Sequence, residues 1–375
     1  MTHRDRLLAA LDHGQPDRVP LDLGSTIAST INHKAYARLR DYLGLPPEPS
    51  PRILAERSGS VMPAEDMLER FDVDARMVLL GGPDGRPERR LSPDAFLDEW
   101  GVTWTRPAGG HYISTEGPFY RLEDPGPAHL DRFDWPEPDD PGRYRGLRER
   151  ARELREQTDC AVVLSCGVGP IHVAQFMRGF GEWLEDLLAN PAFAEGLLVR
   201  ITDFWVRVFD RALAETGKYA DLIVIGDDLA GQRGPLFRPE LYRRLIKPHH
   251  ARLAAVVKRH GKPLLWHSCG SVCSLIPDLI DIGVNALNPV QVSAANMDTA
   301  RLKREFGREL AFWGGVDTGR VLPLGTTDEV RAEVKRRIED LNGDGGYVLC
   351  AVHNIQADVP PENVVAMYDA AREIR

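Results

Sequence analysis

The chain has 375 residues, 43% hydrophobic and 27% charged, which is ordinary for a globular protein and enough for a large core. Its net charge of -9, with acids and bases interspersed and no basic block, argues against nucleic acid and anionic membranes as partners. No apolar run reaches the roughly 18 residues of a membrane span, the N-terminus leads into an amphipathic segment with no apolar signal core, and five scattered cysteines imply no disulfide framework, so a reducing cytoplasm is the expected home.

Residues 4–12 read as a helix, and Gly14-Gln15-Pro16-Asp17-Arg18 as a turn. A short strand follows at 19–24, then a helix at 33–43, a proline-rich loop at 46–51, a helix at 65–71 and a strand at 75–80. Residues 81–87 form a turn. Within 88–140 the pattern changes: 100–105 and 111–114 flank Pro107-Ala108-Gly109-Gly110, a hairpin signal, and the acidic, proline-rich 124–141 reads as irregular. This stretch is expected to be a hairpin insertion decorating the main fold.

From 143 onward helices and strands alternate. Strands are expected at 161–164, 222–226, 264–266, 286–288, 310–313 and 347–352, separated by helices at 144–157, 172–188, 191–216, 238–260, 272–282, 299–306 and 327–342 and closed by one at 362–373. The strands are continuous apolar runs, so they should be parallel and covered by helices. Six such strands, with those near 19 and 75, make eight. The chain is therefore expected to be α/β, a single TIM-type (β/α)8 barrel over 1–375. The alternative, a doubly wound sheet, lacks a Gly-x-Gly-x-x-Gly after its first strand.

On such a barrel, chemistry sits at the C-terminal strand ends. Polar residues recur there: Asp22, then Ser165 and Cys166, Asp227 and Asp228, His267 and Cys269, Asn288 and Gln291, Asp317, and finally His353 and Asn354. In Pro263-Leu264-Leu265-Trp266-His267-Ser268-Cys269-Gly270 the imidazole and the thiol lie two residues apart, so both point the same way from a strand end. Zinc favours that donor pair. The bland reading is a small buried Cys beside a satisfied core His. Cys160, Cys166 and Cys273 read as packing residues, Asp317 as a helix cap, and His249-His250 as surface or helix packing. A third ligand has two candidates. Cys350 is the softer donor but lies inside a strand, whereas His353 stands at that strand's end.

His267-Ser-Cys-Gly270, Trp313-Gly-Gly-Val-Asp317 and Val352-His-Asn-Ile-Gln-Ala-Asp-Val-Pro-Pro-Glu-Asn363 resemble the uroporphyrinogen decarboxylase superfamily. So do Gly226-Asp-Asp-Leu-Ala-Gly-Gln232 and Pro16-Asp-Arg-Val-Pro20. The nearest branch is its zinc-dependent, corrinoid-linked methyltransferases, in particular the O-demethylases. The resemblance implies a (β/α)8 barrel that moves a methyl group between a small molecule, a methyl ether or thiol, and a corrinoid (cobalamin-type) protein. Counting back from Pro360-Pro-Glu-Asn363 puts the branch's distant Cys at His353, so a His267, Cys269 and His353 set for Zn2+ is implied, with Cys350 as the alternative.

Asp228 and Asp22 are then the catalytic candidates, and Asp227, Gln232, Asn288, Asp317 and Asn354 the substrate-binding ones. The chain has no Asp-x-His-x-x-Gly corrinoid motif, so the corrinoid belongs to a partner protein; a homodimer is compatible with the resemblance. Two alternatives stand beside this reading. One is metal-free decarboxylation, for which residues 21–30 lack the arginines that porphyrinogen carboxylates need. The other is an idle barrel that only docks a corrinoid protein.

Overall fold

Among the described residues, 1–374 of a computed structural model, seven parallel strands form one curled sheet. In order around it they are Ala75–Leu79, Ala161–Val168, Leu222–Gly226, Leu264–His267, Ala286–Asn288, Ala311–Trp313 and Tyr347–Val348. The eighth stave is the segment around Leu21, too short to count as a strand. Leu21 bridges in parallel to Leu349, and its carbonyl accepts the Asp74 N–H at 2.9 Å. The ring closes, and the fold is the α/β barrel that the alternation predicts.

Alternate strand residues fill the barrel. Val163, Val224, Leu265, Ala286, Trp313 and Cys350 belong to one buried cluster, plugged at the N-terminal end by Leu7 and Leu11 of the helix His3–Leu11. The intervening residues, such as Leu164, Ile225, Trp266 and Phe312, pack outward into the larger core shared with the helices. Full burial of each such side chain stabilises the fold by about 1.5–3 kcal/mol. The inward parity carries on to the mouth: two residues past Leu265 is His267, and two past Ala286 is Asn288. These two are paired in register.

Boundaries differ from expectation where local signals end before tertiary pairing does. The strand expected at 161–164 runs on to Val168, and the one expected at 347–352 is regular only over Tyr347–Val348, with bridging resumed between Val316 and Ala351. The helix expected at 172–188 is two, Pro170–Arg178 and Phe180–Ala189, broken at Gly179 with φ +98°. The helix expected at 238–260 carries a π-turn, Tyr242–Ile246, before Lys247–Arg259.

Residues 89–116 form a four-stranded antiparallel meander: Arg89–Ser92, Ala95–Leu97, Thr103–Thr105 and Ile113–Glu116. Its rings lie against barrel helices, Trp104 on Phe176 of Pro170–Arg178 and Trp100 on Phe204 of Pro191–Thr216, with centroids 4.7 Å apart in both pairs. No helix of the described residues is long and apolar enough to cross a membrane.

Candidate metal centre

The strand Leu264–His267 ends in a turn that only glycine permits. Gly270 has φ +89°, and a Cβ there would lie 2.3 Å from the Ala230 carbonyl oxygen. The turn keeps Cys269 over the barrel mouth, with Sγ 3.5 Å from His267 Nε2. His353, in the loop after the last strand, arrives from the other side. One donor atom from each of His267, Cys269 and His353 lies within 4.8 Å of the others. A tetrahedral zinc, at about 2.0–2.1 Å from nitrogen and 2.3 Å from sulfur, needs a nitrogen–sulfur edge of about 3.5 Å. The residues present fit that ion.

The protonation of the two imidazoles fits as well. His267 Nδ1 is 2.6 Å from Asn288 Oδ1, and the Asn288 amide donates in turn to the Trp313 carbonyl oxygen at 3.3 Å. That chain puts the ring proton on Nδ1 and leaves the Nε2 lone pair facing the cluster. Burial holds the His267 imidazole below its usual range, and burial, then His267, holds His353 down to about 4. Burial, followed by Asp228, pushes the Cys269 thiol far up. The centre therefore offers two neutral imidazoles and a thiol whose charged form lacks a counter-ion.

Beside it runs a chain of acids and imidazoles. Asp228 accepts the Cys269 N–H at 2.7 Å, and its other oxygen is 3.5 Å from His172 Nε2. His172 Nδ1 lies 3.1 Å from Asp227. Asp227, fully buried, accepts the N–H groups of Ile171 and His172 at 2.8 Å each, capping the helix Pro170–Arg178. It also meets His250 Nε2 at 3.0 Å. Burial opposes a charge on His172, but Asp227 and Asp228 outweigh it and lift its pKa to about 10. Despite burial, His172 keeps Asp228 well below the usual carboxylate range.

A cavity of about 960 Å3 opens over the cluster, with His172, Asp228, His267, His353 and Asn354 in its floor and the meander above. The other sequence candidates lie elsewhere. Cys350 is inside the barrel, fully buried, with Sγ 3.2 Å from the Ala351 carbonyl oxygen. Asp22 is fully buried and accepts from Trp313 Nε1 at 2.8 Å and the Ser25 N–H at 2.9 Å. Asp227 is sealed behind His172. Gln232 is exposed and outside the cavity. Asp317 accepts the Gly319 N–H at 2.7 Å, in a local turn, and borders a different pocket. Gln291 receives the Gly270 N–H at 2.6 Å and so braces the Cys269–Gly270 turn.

His172 and His250 were not foreseen as site residues. Of the two readings of His249-His250, helix packing holds and surface does not: both are buried, His249 beside Thr202 of the helix Pro191–Thr216, while His250 faces Asp227 across the barrel wall. For His172 a signal existed. Gly169-Pro170 starts a helix right at the true end of the strand Ala161–Val168, and four unseen strand residues hid that strand end.

A parallel barrel with donor groups and buried acids gathered at its C-terminal rim is the architecture of a TIM-barrel enzyme. This one belongs to the uroporphyrinogen decarboxylase family, whose model, described as Uroporphyrinogen decarboxylase (URO-D), matches residues 95–374. Its curated relatives include the uroporphyrinogen decarboxylases of Syntrophotalea carbinolica, 27% identical over 235 residues, and of Thermus thermophilus, 27% identical over 194. These matches cover 60% and 50% of this chain and 64% and 51% of the relatives, under two thirds of their length in each case. In fold the chain is similar to a methyltransferase from Methanosarcina mazei, with a TM-score of 0.65 over 100% of this chain and 99% of that one, at 21% identity.

Proposed function

We propose that this protein is a zinc-dependent methyltransferase that moves a methyl group between a small molecule, a methyl ether or thiol, and a corrinoid carried by a partner protein. The observation that carries the reading is the His267, Cys269 and His353 cluster, two of whose donors, His267 and His353, line the cavity, because catalytic zinc sites keep one position free for substrate. Bound there, zinc would act as a Lewis acid toward the oxygen or sulfur that loses or gains the methyl group.

The chain's own residues do the rest. Asn288 fixes the His267 ring, and Asp228 and Gln291 hold the Cys269–Gly270 turn through its N–H groups. His172 keeps a proton at Nε2 on the cavity wall, available to an oxygen that becomes an alkoxide when its methyl leaves. The aromatic rings of Phe96, Trp100, Phe176 and Trp205 line the cavity and give it an apolar wall.

Decarboxylation, the activity in the curated relatives' names, is the competing reading. It is disfavoured by residues 21–30, which carry no arginine, and by Asp22, whose carboxylate is committed to Trp313 and Ser25. The deciding experiment is anaerobic. Zinc-reconstituted protein is given reduced cobalamin and a panel of methyl ethers, then methylcobalamin and a panel of thiols, and the cobalt spectrum is followed. Parallel samples receive uroporphyrinogen. Methyl transfer in either direction supports the proposal. Turnover of the porphyrinogen at an enzymatic rate, with a silent cobalt spectrum, refutes it.

A further inference from the structure

The cavity roof contains a cation with nothing to bind. Arg57 lies in the loop between the short strands Ile53–Ala55 and Ser60–Val61 and lines the same cavity as His172, His267 and His353. Its guanidinium carbon lies over aromatic rings, 4.1 Å from the Trp104 ring centre and 5.6 Å from that of Phe176. Phe176 stacks in turn on His172, with centroids 5.8 Å apart, so one ring separates Arg57 from the acid–imidazole chain beside the metal centre.

Among the described residues, none accepts a hydrogen bond from that guanidinium and none forms an ion pair with it. The nearest carboxylates, Asp98 and Glu88, act on it only through space, and the other charges nearby are paired elsewhere. Asp98 accepts the N–H groups of Trp100 and Val102 at 2.9 and 3.0 Å and the Trp104 indole N–H at 2.8 Å. Glu56 pairs with Arg90, Glu99 with Arg143, and Arg86 with Asp134. Glu88 is exposed. An arginine presents five N–H donors in a planar fork, and leaving them unmatched in a partly desolvated wall costs free energy that a ligand anion would recover.

We infer that Arg57 is the anion-recognition residue of this cavity, and that the small molecule carries a single oxyanion, of the carboxylate, sulfonate or phosphate type, at the end remote from the metal centre. A single guanidinium suits one such group, where a polycarboxylate would need several. The stacking fixes the fork in advance, so little side-chain entropy is lost when the anion docks. This inference rests on the proposed function only for what happens at the other end of the molecule; the anion site itself stands or falls on binding.

The test uses two isosteric probes, 4-methoxybenzoate and 4-methoxybenzamide, which differ only in charge at the remote end. Their affinities are measured by quenching of tryptophan fluorescence and by calorimetry, on zinc-loaded and metal-free protein. The wild type should bind the benzoate at least tenfold more tightly than the benzamide in both forms, with the preference shrinking as salt rises. Arg57→Met should abolish the preference and leave benzamide affinity, zinc stoichiometry and melting temperature close to wild type. Arg57→Lys should retain part of it.

Equal affinity for the two probes in the wild type overturns the inference. So does a preference that survives Arg57→Met, or one seen only with zinc bound, which would place the carboxylate on the metal. A preference lost in Arg57→Met, in a protein that transfers no methyl group, supports the anion site while refuting the methyltransferase reading.

Discussion

Replacing His353 by alanine removes one of the three donors at the barrel mouth, and the loss can be sized. Four-ligand zinc sites bind their ion with about 10–16 kcal/mol, or roughly 3 kcal/mol per ligand. His353→Ala should therefore weaken zinc about 100-fold. Cys350→Ser is the matched control. Its sulfur is buried in the barrel interior and faces the Ala351 carbonyl oxygen at 3.2 Å, which a serine hydroxyl can also reach. The expected cost there is about 1–3 kcal/mol of folding stability, for a more polar group in an apolar interior, with zinc binding unchanged. The assay strips the metal, adds back one equivalent, and reads affinity by competition with a chromophoric chelator and stoichiometry by elemental analysis. If Cys350→Ser loses zinc and His353→Ala keeps it, Cys350 is the ligand and the placement of the last strand is wrong. If His267→Ala and His353→Ala both leave zinc binding unaltered, the cluster is not a metal centre.

Asn288→Ala should lower zinc affinity about 10- to 100-fold, because the His267 ring loses the acceptor that fixes its tautomer; an unchanged chelator competition curve would contradict that role. His250→Ala leaves the buried Asp227 carboxylate without one partner and should cost about 3–5 kcal/mol in urea unfolding. A loss below about 1 kcal/mol would mean that the backbone N–H groups of Ile171 and His172 hold Asp227 unaided. The stability of the protein should also fall in acid through His249, whose imidazole is held down to about 4, by burial and then by His250. Between its unfolded pKa of 6.5 and that folded value the unfolded chain binds the extra proton. The contribution is therefore intact above pH 6.5 and lost progressively toward pH 4, by up to about 3 kcal/mol. Denaturation followed across that window should show a shallower slope for His249→Gln, and an identical slope would refute the assignment.

Read residue by residue, the chain alone determined the barrel and two members of the cluster at its mouth. Apolar runs such as Leu222-Ile223-Val224-Ile225 admit few homes other than a buried parallel strand, and eight staves of that kind, separated by helices, close on themselves. His267 and Cys269 were legible for the same local reason: residues two apart on a strand share a side, and Gly270 marks the turn beyond. What no local rule supplies is depth and partner. Cys350 and His353 are three residues apart and chemically both credible, and only the closed ring sends the thiol into the interior with Trp313 and Val348 while His353 reaches the rim. His172 and His250 sit in helices, where an imidazole looks like packing or surface. Their meaning comes from Asp227, 55 and 23 residues away, which is buried on the neighbouring strand end and requires compensation for its charge. Of the meander that roofs the cavity only the hairpin around 100–114 was legible, and Arg57, outside it, carries no periodic signal. Their position follows from aromatic contacts across the mouth, Trp104 on Phe176 and Trp100 on Phe204, which exist only once the barrel has formed beneath them. Periodicity is a property of neighbours in the chain, whereas ligand sets and charge compensation are properties of neighbours in space.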